Sequence, residues 1–380
     1  MANNIERFKS GYYDNCGDYK AFHPSEICTT WTWSDSRLNY LLSEANKELG
    51  GLNTYSELIE DIDIYILMHL QVEANKSNKI EGTKTSVEDD LMDLEDVVPE
   101  KRDDVHEIQN YVRAMNYGVS RITVDDFPFT TRLIRELHAI LLDGVRGEHK
   151  TPGEFRTSQN FIGGSRPSNA FYVPPAVNAL SGLLSDFDKF VNANDNIPAL
   201  IKTAIIHYQF ETIHPFLDGN GRIGRLIVPL YLLAKGDLTK PCFYISDYFE
   251  RNRVEYYNRL QSARVNDDLL GWICFFMEAT IETARSAKMK FKGAVNQRNI
   301  YNEYLIGKPG GSTASLQKII AVMYKKPVIN ARSLSDLTGL SAPTVNKCLQ
   351  ILIDDGILTE VTGNKRNRVF ALYDYINVFN

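Results

Sequence analysis

Apolar residues recur at helical spacing along most of the chain. In "SDSRLNYLLSEANKEL", Leu38 and Leu41 lie on one face of a predicted helix. Ser34 is its expected N-cap, and Gly50-Gly51 is its expected end. The same spacing marks further helices in "DIDIYILMHLQVEANKSNKIEG", "DVHEIQNYVRAMNYGVSRI", "TTRLIRELHAILLDGV", "AVNALSGLLSDFDKFVNAN", "PALIKTAIIHYQFETIHPF", "GRLIVPLYLLAKG", "DYFERNRVEYYNRLQSAR" and "LLGWICFFMEATIETARSAKMKFK". The pattern predicts an all-α fold class.

Three parts of the chain depart from helical spacing. Residues up to about Thr30 look irregular. The stretch "GEFRTSQNFIGGSRPSNAFYVPP" is rich in Gly, Pro and aromatic residues, which predicts a short hairpin or an ordered loop. After the linker-like "GKPGGST", three short helices and two strands around "TGNKRN" outline a winged helix-turn-helix. We expect an N-terminal helical region at 1–124, a central domain at 125–290, a linker at 291–313 and a winged helix at 314–380.

Composition and charge narrow the function classes. The 380 residues predict two or three domains at roughly 100–200 residues each. A net charge of -6 argues against polyanion binding by the whole chain, although residues 314–380 carry eight Lys or Arg and five Asp or Glu. Five scattered cysteines without a CxxC pair argue against a disulfide framework and a structural zinc site. With no apolar leader or bilayer-length run, we expect a cytoplasmic protein without a membrane partner.

One loop, "HPFLDGNGRIGR" from His214 to Arg225, concentrates residues suited to phosphate chemistry. It lies between two predicted helices, and the backbone N–H groups that start the second helix attract anions. Gly219 and Gly221 let that backbone approach a phosphate closely. Arg222 and Arg225 are three residues apart, so both can clamp phosphate oxygens.

The same loop offers a metal ligand and a base. Asp218 can hold a Mg²⁺ ion that the phosphates share, and His214 can take a proton from an attacking hydroxyl. A histidine alone would more often be structural, and His207, with no third ligand at metal spacing, is expected to be so. "GNGRIG" matches the dinucleotide pattern G-x-G-x-x-G, but the segment before it has helical spacing where that pattern needs a strand. The residues indicate phosphoryl or nucleotidyl transfer.

The loop closely resembles the signature of the Fic family, H-P-F-x-[D/E]-G-N-G-R-x-x-R, and every specified position matches. "GEFR" and "HYQFETIHPF" extend the resemblance to about residues 125–290. It implies a helical core with a β-hairpin flap and transfer of AMP from ATP to a Ser, Thr or Tyr hydroxyl of a protein. A phosphate-transferring branch that resembles Doc has Lys where this chain has Gly221, which favours AMP transfer.

The resemblance also implies roles for single residues. His214 is the base and Asp218 the Mg²⁺ ligand. The implied set of ATP- and phosphate-binding residues in the loop is Gly219, Asn220, Gly221, Arg222, Ile223, Gly224 and Arg225.

A second motif, "SNKIEG", resembles the inhibitory helix motif [S/T]-x-x-x-E-[G/N] of the same family. Ser77, Glu81 and Gly82 match its three specified positions. The resemblance implies that Glu81 pairs with Arg225 and places a carboxylate where the ATP γ-phosphate would sit. Read alone, Glu81 would be a solvated residue at a helix end.

Two further groups of candidates lie outside these motifs. Asn160, Phe161 and Ile162 are either plain hairpin residues or a flap that docks an extended target segment by β-augmentation. Tyr256 and Tyr257 are expected to pack in the interior, with Tyr257 as the candidate for bordering the adenine.

Two hypotheses from different classes follow. The first is an autoinhibited protein adenylyltransferase that uses ATP and Mg²⁺, with removal of AMP by the same site as a variant. The second is a DNA-binding regulator whose central domain senses a nucleotide. In the winged helix, Thr344, Asn346 and Lys347 near the start of the recognition helix and "NKRNR" at the wing are candidates for DNA contacts, although such domains also dock proteins. The target protein and a homodimer are left open.

Overall fold

The computed structural model describes residues 3–147, 149–308, 313–363 and 368–380. Its helices are α1 (Ser36–Leu58), α2 (Ile62–Glu81), α3 (Val87–Leu91), α4 (Arg102–Thr123), α5 (Thr131–Leu141), α6 (Leu180–Asn192), α7 (Ala199–Ile213), α8 (Asn220–Ala234), α9 (Ser246–Arg251), α10 (Arg253–Val265), α11 (Leu269–Ile306), α12 (Thr313–Lys325), α13 (Ala331–Thr338), α14 (Ala342–Asp354) and α15 (Tyr373–Phe379). Its strands are β1 (Asn3–Asn4), β2 (Gly11–Asn15), β3 (Lys20–Pro24), β4 (Trp31–Thr32), β5 (Val328–Asn330), β6 (Thr359–Glu360) and β7 (Val369–Ala371). The predicted all-α fold class with a C-terminal winged helix is confirmed.

The first helix differs from its prediction at both ends. Asp35 and not Ser34 is the N-cap, because its carboxylate accepts a hydrogen bond from the Leu38 N–H at 2.7 Å. The helix also continues through Gly50 and Gly51 to Leu58. Helix α1 packs along α11 over much of its length, and this tertiary contact outweighs the low helix propensity of two glycines.

The region before α1 is more ordered than the sequence indicates. Strands β2 and β3 form an antiparallel hairpin, and β1 pairs in parallel with β4. The Phe22 N–H donates to the Val173 carbonyl at 2.9 Å, so the hairpin lies against the 153–175 segment. Buried and exposed positions do not alternate regularly along its two strands, so period-two alternation does not identify them.

Helices α7 and α8 form the centre of the core. Every residue from Leu200 to Ile213 is buried, because α6, α8 and α11 surround α7. On its other sides α8 packs against α2, α4 and α5. The loop that joins the two central helices is therefore held at both ends by rigid elements, which suits a site that needs fixed geometry.

The 153–175 segment forms only the beginning of a hairpin. One antiparallel bridge joins Ile162 and Tyr172, with backbone hydrogen bonds of 2.8 to 3.1 Å. The predicted β-hairpin flap is thus a largely irregular loop closed by a single bridge.

The C-terminal part is joined closely to the helical core. Helix α11 runs to Ile306, so most of the predicted linker at 291–313 is its last turns. Beyond it, β5, β7 and β6 form an antiparallel sheet beside α12, α13 and α14. Helix α15 was not predicted from the sequence; it packs on α11 and α2 and places Phe379 against His69 and Phe291. In the wing stretch "NKRNR", residues 364–367 lie outside the described residues, and only Arg368 is described.

Within the described residues, no helix has both the length and the apolar character needed to cross a membrane.

Candidate active site

The backbone of the α7–α8 loop is fixed by side-chain amides. His214 ends α7 in the left-handed conformation, with φ of 49°, which is uncommon for a residue other than glycine. Asn220 closes the loop, because its side chain accepts from the Phe216 N–H and donates to the Phe216 carbonyl, both at 2.9 Å. Asn160 donates to the His214 carbonyl at 3.1 Å and to the Phe216 carbonyl at 2.8 Å. These hydrogen bonds hold His214 in its left-handed backbone conformation.

His214 is held as a neutral imidazole. Burial lowers its pKa to about 3, and the nearby Arg264 acts in the same direction. A hydrogen bond from the ring to the backbone of Glu211 opposes this shift. At neutral pH the ring is unprotonated, which is the form that can accept a proton from a hydroxyl.

The start of α8 is built as an anion site, and a carboxylate occupies it. Gly219 is the N-cap, with φ of 74°. A Cβ added at Gly221 would lie 2.4 Å from Glu81 Oε1, so this glycine leaves the space that the carboxylate fills. Glu81 therefore lies against the first turn of the helix, where exposed N–H groups favour a phosphate.

Arg225 is bound entirely by α2. Its Nη2 lies 2.6 Å from Glu81 Oε1 and donates to the Ser77 carbonyl at 2.9 Å, while its Nε donates to Ser77 Oγ at 2.8 Å. Burial alone would raise the pKa of Glu81, but Arg225 holds it below its ordinary value. Both partners are charged at neutral pH, and in this state the arginine is engaged by Ser77 and Glu81.

Arg222 and Asp218 lie on the other side of the helix start. Arg222 Nη1 lies 3.2 Å from Glu107 Oε2, and its Nη2 lies 3.6 Å from Asp218 Oδ1. Asp218 also accepts from the Gly219 N–H at 2.6 Å, and its side chain is 47% exposed. His138 supports the turn, because its Nε2 lies 3.0 Å from the Asp218 carbonyl and its ring stacks on Phe216. Neither Glu107 nor His138 could be predicted from the sequence as part of this site.

Asp218 fits a shared magnesium ion. No group of three or more His, Cys, Asp or Glu side chains suited to a metal occurs in the described part of the chain. Magnesium is commonly held by one or two carboxylates together with substrate phosphates. A single exposed carboxylate beside an anion-binding helix start matches that pattern.

Ile223 and Gly224 turn away from the loop surface. Ile223 is fully buried, and the Gly224 carbonyl lies 2.9 Å from His207 Nδ1. The structure thus places these two predicted nucleotide-binding residues on the interior side of α8. His207 also contacts the Tyr256 hydroxyl at 3.0 Å, so both of its ring nitrogens have partners inside the protein.

The three candidate flap residues, Asn160, Phe161 and Ile162, have different surroundings. The Asn160 side chain faces the α7–α8 loop, whereas Phe161 is 36% exposed. Ile162 supplies the bridge to Tyr172. Arg156, in "GEFR", fixes the flap by donating to the His214 carbonyl at 3.1 Å and the Pro175 carbonyl at 2.6 Å.

Tyr256 and Tyr257 have different surroundings. Tyr256 is fully buried, while Tyr257 is 38% exposed and lies near Arg253. Burial raises the pKa of Tyr257, and the charge of Glu81 adds to that shift, so the ring lies near the Glu81 carboxylate. Tyr257 is therefore the member of the pair that is accessible beside the anion site.

The fold and the site together define a helical protein that has a loop suited to phosphate binding between its two central helices and a winged helix at its C-terminal end. Residues 128–232 match the model of the Fic/DOC family, and residues 39–120 match that of the Fic/DOC family N-terminal region. Residues 313–359 match the winged helix-turn-helix DNA-binding model. The chain therefore contains a Fic/DOC domain at residues 128–232, preceded by the N-terminal region of that family at 39–120.

Similar proteins support this assignment. The chain is 31% identical over 232 residues to a "Protein adenylyltransferase Fic" of Culex quinquefasciatus, covering 56% of this chain and 42% of that protein. It is 32% identical over 187 residues to a protein of the same name from Aedes aegypti, covering 48% and 34%. The chain thus matches less than half the length of these curated relatives.

Solved structures share the fold. A Fic family protein from Desulfovibrio desulfuricans G20 superposes with a TM-score of 0.52 at 18% identity, covering 89% of this chain and 96% of that one. A Fic domain-containing signaling protein from Bacteroides thetaiotaomicron gives 0.53 at 20% identity, covering 67% and 96%. At these identities the likeness concerns the fold.

Proposed function

We propose that this chain is a protein adenylyltransferase that transfers AMP from ATP to a Ser, Thr or Tyr hydroxyl of a target protein. The observation that carries the proposal is the α7–α8 loop, where a neutral His214 lies beside an anion-binding helix start and the exposed carboxylate of Asp218. The relatives' name, protein adenylyltransferase, points to the same reaction.

The loop residues divide the work of the reaction. The target hydroxyl attacks the α-phosphorus of ATP, His214 takes the hydroxyl proton, and the bond to the departing pyrophosphate breaks. The start of α8 with Arg222 and Arg225 holds the phosphates. Magnesium, held by Asp218 and the phosphates, would neutralise charge on the leaving group. Tyr257 would border the adenine, and the flap around Phe161 would hold the target segment.

The same proposal includes autoinhibition by Glu81. Its carboxylate lies at the helix start and binds the arginine that the γ-phosphate needs. Two like charges cannot share this site without a large electrostatic cost, so ATP must displace Glu81 to bind productively.

Labelled ATP tests the reaction class. Full-length chain with Mg²⁺ and a cell lysate is incubated in parallel with ATP labelled on the α-phosphate and on the γ-phosphate. Lysate without the chain, and lysate with the His214→Ala chain, give the background labelling by the lysate's own enzymes. Over this background, we expect the chain to add protein-bound label from the α-phosphate only. Added label from the γ-phosphate would instead identify phosphate transfer and refute the proposal.

DNA binding by the winged helix is a second candidate function, favoured by the match to a DNA-binding family model. Arg332, Asn346 and Arg368 line a cleft of about 860 Å³ beside the recognition helix α14. Glu95 and Asp96 line the same cleft. A duplex would have to displace this acidic segment, because its carboxylates repel phosphates.

The acidic segment is bound to the winged helix by specific contacts. Asp93 pairs with Lys326, and Asp96 Oδ2 accepts from Asn330 Nδ2 at 2.8 Å. Asn330 is itself the N-cap of α13. The segment therefore lies at a helix start that could otherwise meet a DNA phosphate.

Charge variants test the DNA candidate without removing α15, which packs on α2 and α11. The double variant Arg332→Ala with Arg368→Ala is expected to weaken duplex binding. The slope of log binding constant against log salt concentration should become shallower by about one for each phosphate contact that is lost. Asp96→Asn is expected to strengthen binding. Fluorescence anisotropy over a salt series measures both effects, with Lys47→Ala and Lys292→Ala as the charge-matched control. A full chain without salt-sensitive duplex binding would eliminate this function.

A further inference from the structure

Glu211 is a buried carboxylate that the proposed mechanism does not yet use. It lies in the last turn of α7, three residues before His214, and is only 6% exposed. Its Oε2 is 3.9 Å from His214 Nδ1. Among the described residues, Glu211 Oε1 has no hydrogen-bond partner. Buried polar atoms are rarely left in this state unless they have a role.

The space for this carboxylate is provided by Gly224. A Cβ at that position would lie 2.1 Å from Glu211 Oε1, so any other residue would push the carboxylate away. The second glycine of "GRIGR" therefore has a packing reason that is separate from phosphate binding.

The neighbouring cations are engaged elsewhere. Arg264, on α10, donates to the backbone carbonyl of Glu211 and to Thr212 Oγ1, both at 3.1 Å. Arg225, on α8, is bound by Ser77 and Glu81 of α2. These arginines and Glu81 are the charged groups that act on Glu211 from the helices packed around it, and none of them hydrogen-bonds its carboxylate.

We infer that Glu211 is a positioning residue for His214, whose carboxylate receives the Nδ1–H of the imidazole when Nε2 accepts the proton of the target hydroxyl. The ring proton stays on Nδ1, and the negative charge of Glu211 stabilises the imidazolium until the ring releases its new proton. A buried carboxylate behind a catalytic histidine fixes the tautomer in this way in other enzymes. The inference rests on the adenylyltransferase proposal, since it assigns a role in that reaction.

The inference has a pH signature. Burial raises the pKa of Glu211 to about 7, so this carboxyl is protonated below that pH and charged above it. Because the charged form is the one that supports the imidazolium, the rate should rise as the pH passes through neutrality. His214 itself, with a pKa of about 3, remains unprotonated across that range.

Glu211→Gln tests the role in the full chain carrying Glu81→Gly as the active parent. We expect kcat for AMP transfer to fall by about 10- to 100-fold, somewhat less than the loss of a general base, with the KM for ATP little changed. The rise in rate through neutral pH should disappear. Glu211→Asp should restore part of the lost kcat and part of the rise in rate through neutral pH. Glu48→Gln is the matched control, because it alters a buried carboxylate that pairs with Lys288 and Arg285, away from the site.

A second readout does not depend on activity. The ¹⁵N resonances of His214, assigned with His214→Ala, should shift in the parent as Glu211 ionises near pH 7, and this step should be missing in the Gln variant. A normal rate and pH profile in Glu211→Gln, with the step in the His214 resonances retained, would overturn the inference. If no variant transfers AMP, the adenylyltransferase proposal fails, and an unchanged titration would separately overturn the contact.

Discussion

Replacing His214 with Ala is expected to lower AMP transfer by about 10²–10⁴-fold, the usual contribution of a general base. The imidazole is neutral in the folded protein, and the loop holds it beside the phosphate site through Asn160 and Asn220. The phosphate contacts lie on α8, so the affinity for ATP should be retained. The measurement is the initial rate of label transfer in the Glu81→Gly chain, with ATP affinity determined by calorimetry.

His106→Ala is a suitable control for this variant. It removes another imidazole, on α4 beside Gly144, and should leave the rate unchanged. If His214→Ala transfers AMP at the parent rate, His214 does not act as the base. If ATP affinity is also lost, the variant has damaged the loop and Glu211→Gln becomes the decisive probe of this histidine.

The substitution Glu81→Gly should raise AMP transfer, including self-modification. Displacing a charged hydrogen bond costs about 1.5–3 kcal/mol, and the Glu81 side chain is 38% exposed, so the lower end applies. At about 1.4 kcal/mol for each factor of ten, the expected gain is about tenfold. Folding should change little, because the Gly82 cap is made by its backbone N–H to the Asn78 and Lys79 carbonyls.

A double variant tests whether Glu81 acts through Arg225. Glu81→Gly with Arg225→Ala should lose most of the gain, because the released arginine is missing, and such non-additivity is expected of a direct pair. Glu60→Gly makes the same chemical change in the turn before α2 and serves as the control. An unchanged or lower rate for Glu81→Gly would mean that "SNKIEG" is only a helix end.

Local sequence signals predicted the helices and the position of the α7–α8 loop well, for a physical reason. Helical spacing depends on neighbours three and four residues away, and within the loop Asn220 closes the turn on Phe216, four residues earlier. Gly82 likewise ends α2 through its own left-handed backbone, with φ of 107°. Features of this kind can be predicted from a short stretch of the sequence.

Features that depend on distant packing were missed or misplaced. Helix α1 passes through Gly50 and Gly51 because α11 lies alongside it, and α11 extends to Ile306 in the predicted linker. Glu107 and His138 support the loop from α4 and α5, across separations of 115 and 80 residues. Periodicity carries no information about such pairs, so only the structure identifies them.

We propose that this chain transfers AMP and that Glu81 slows this transfer. Intact-mass spectrometry of full-length chain, Glu81→Gly and Glu81→Gly with His214→Ala, each incubated with ATP and Mg²⁺, tests both parts in one measurement. The account predicts a small fraction of chains carrying one added AMP in the parent, a larger fraction in Glu81→Gly and almost none in the double variant. Equal fractions in the three samples, or no added AMP in Glu81→Gly alone or with a target lysate, would contradict it.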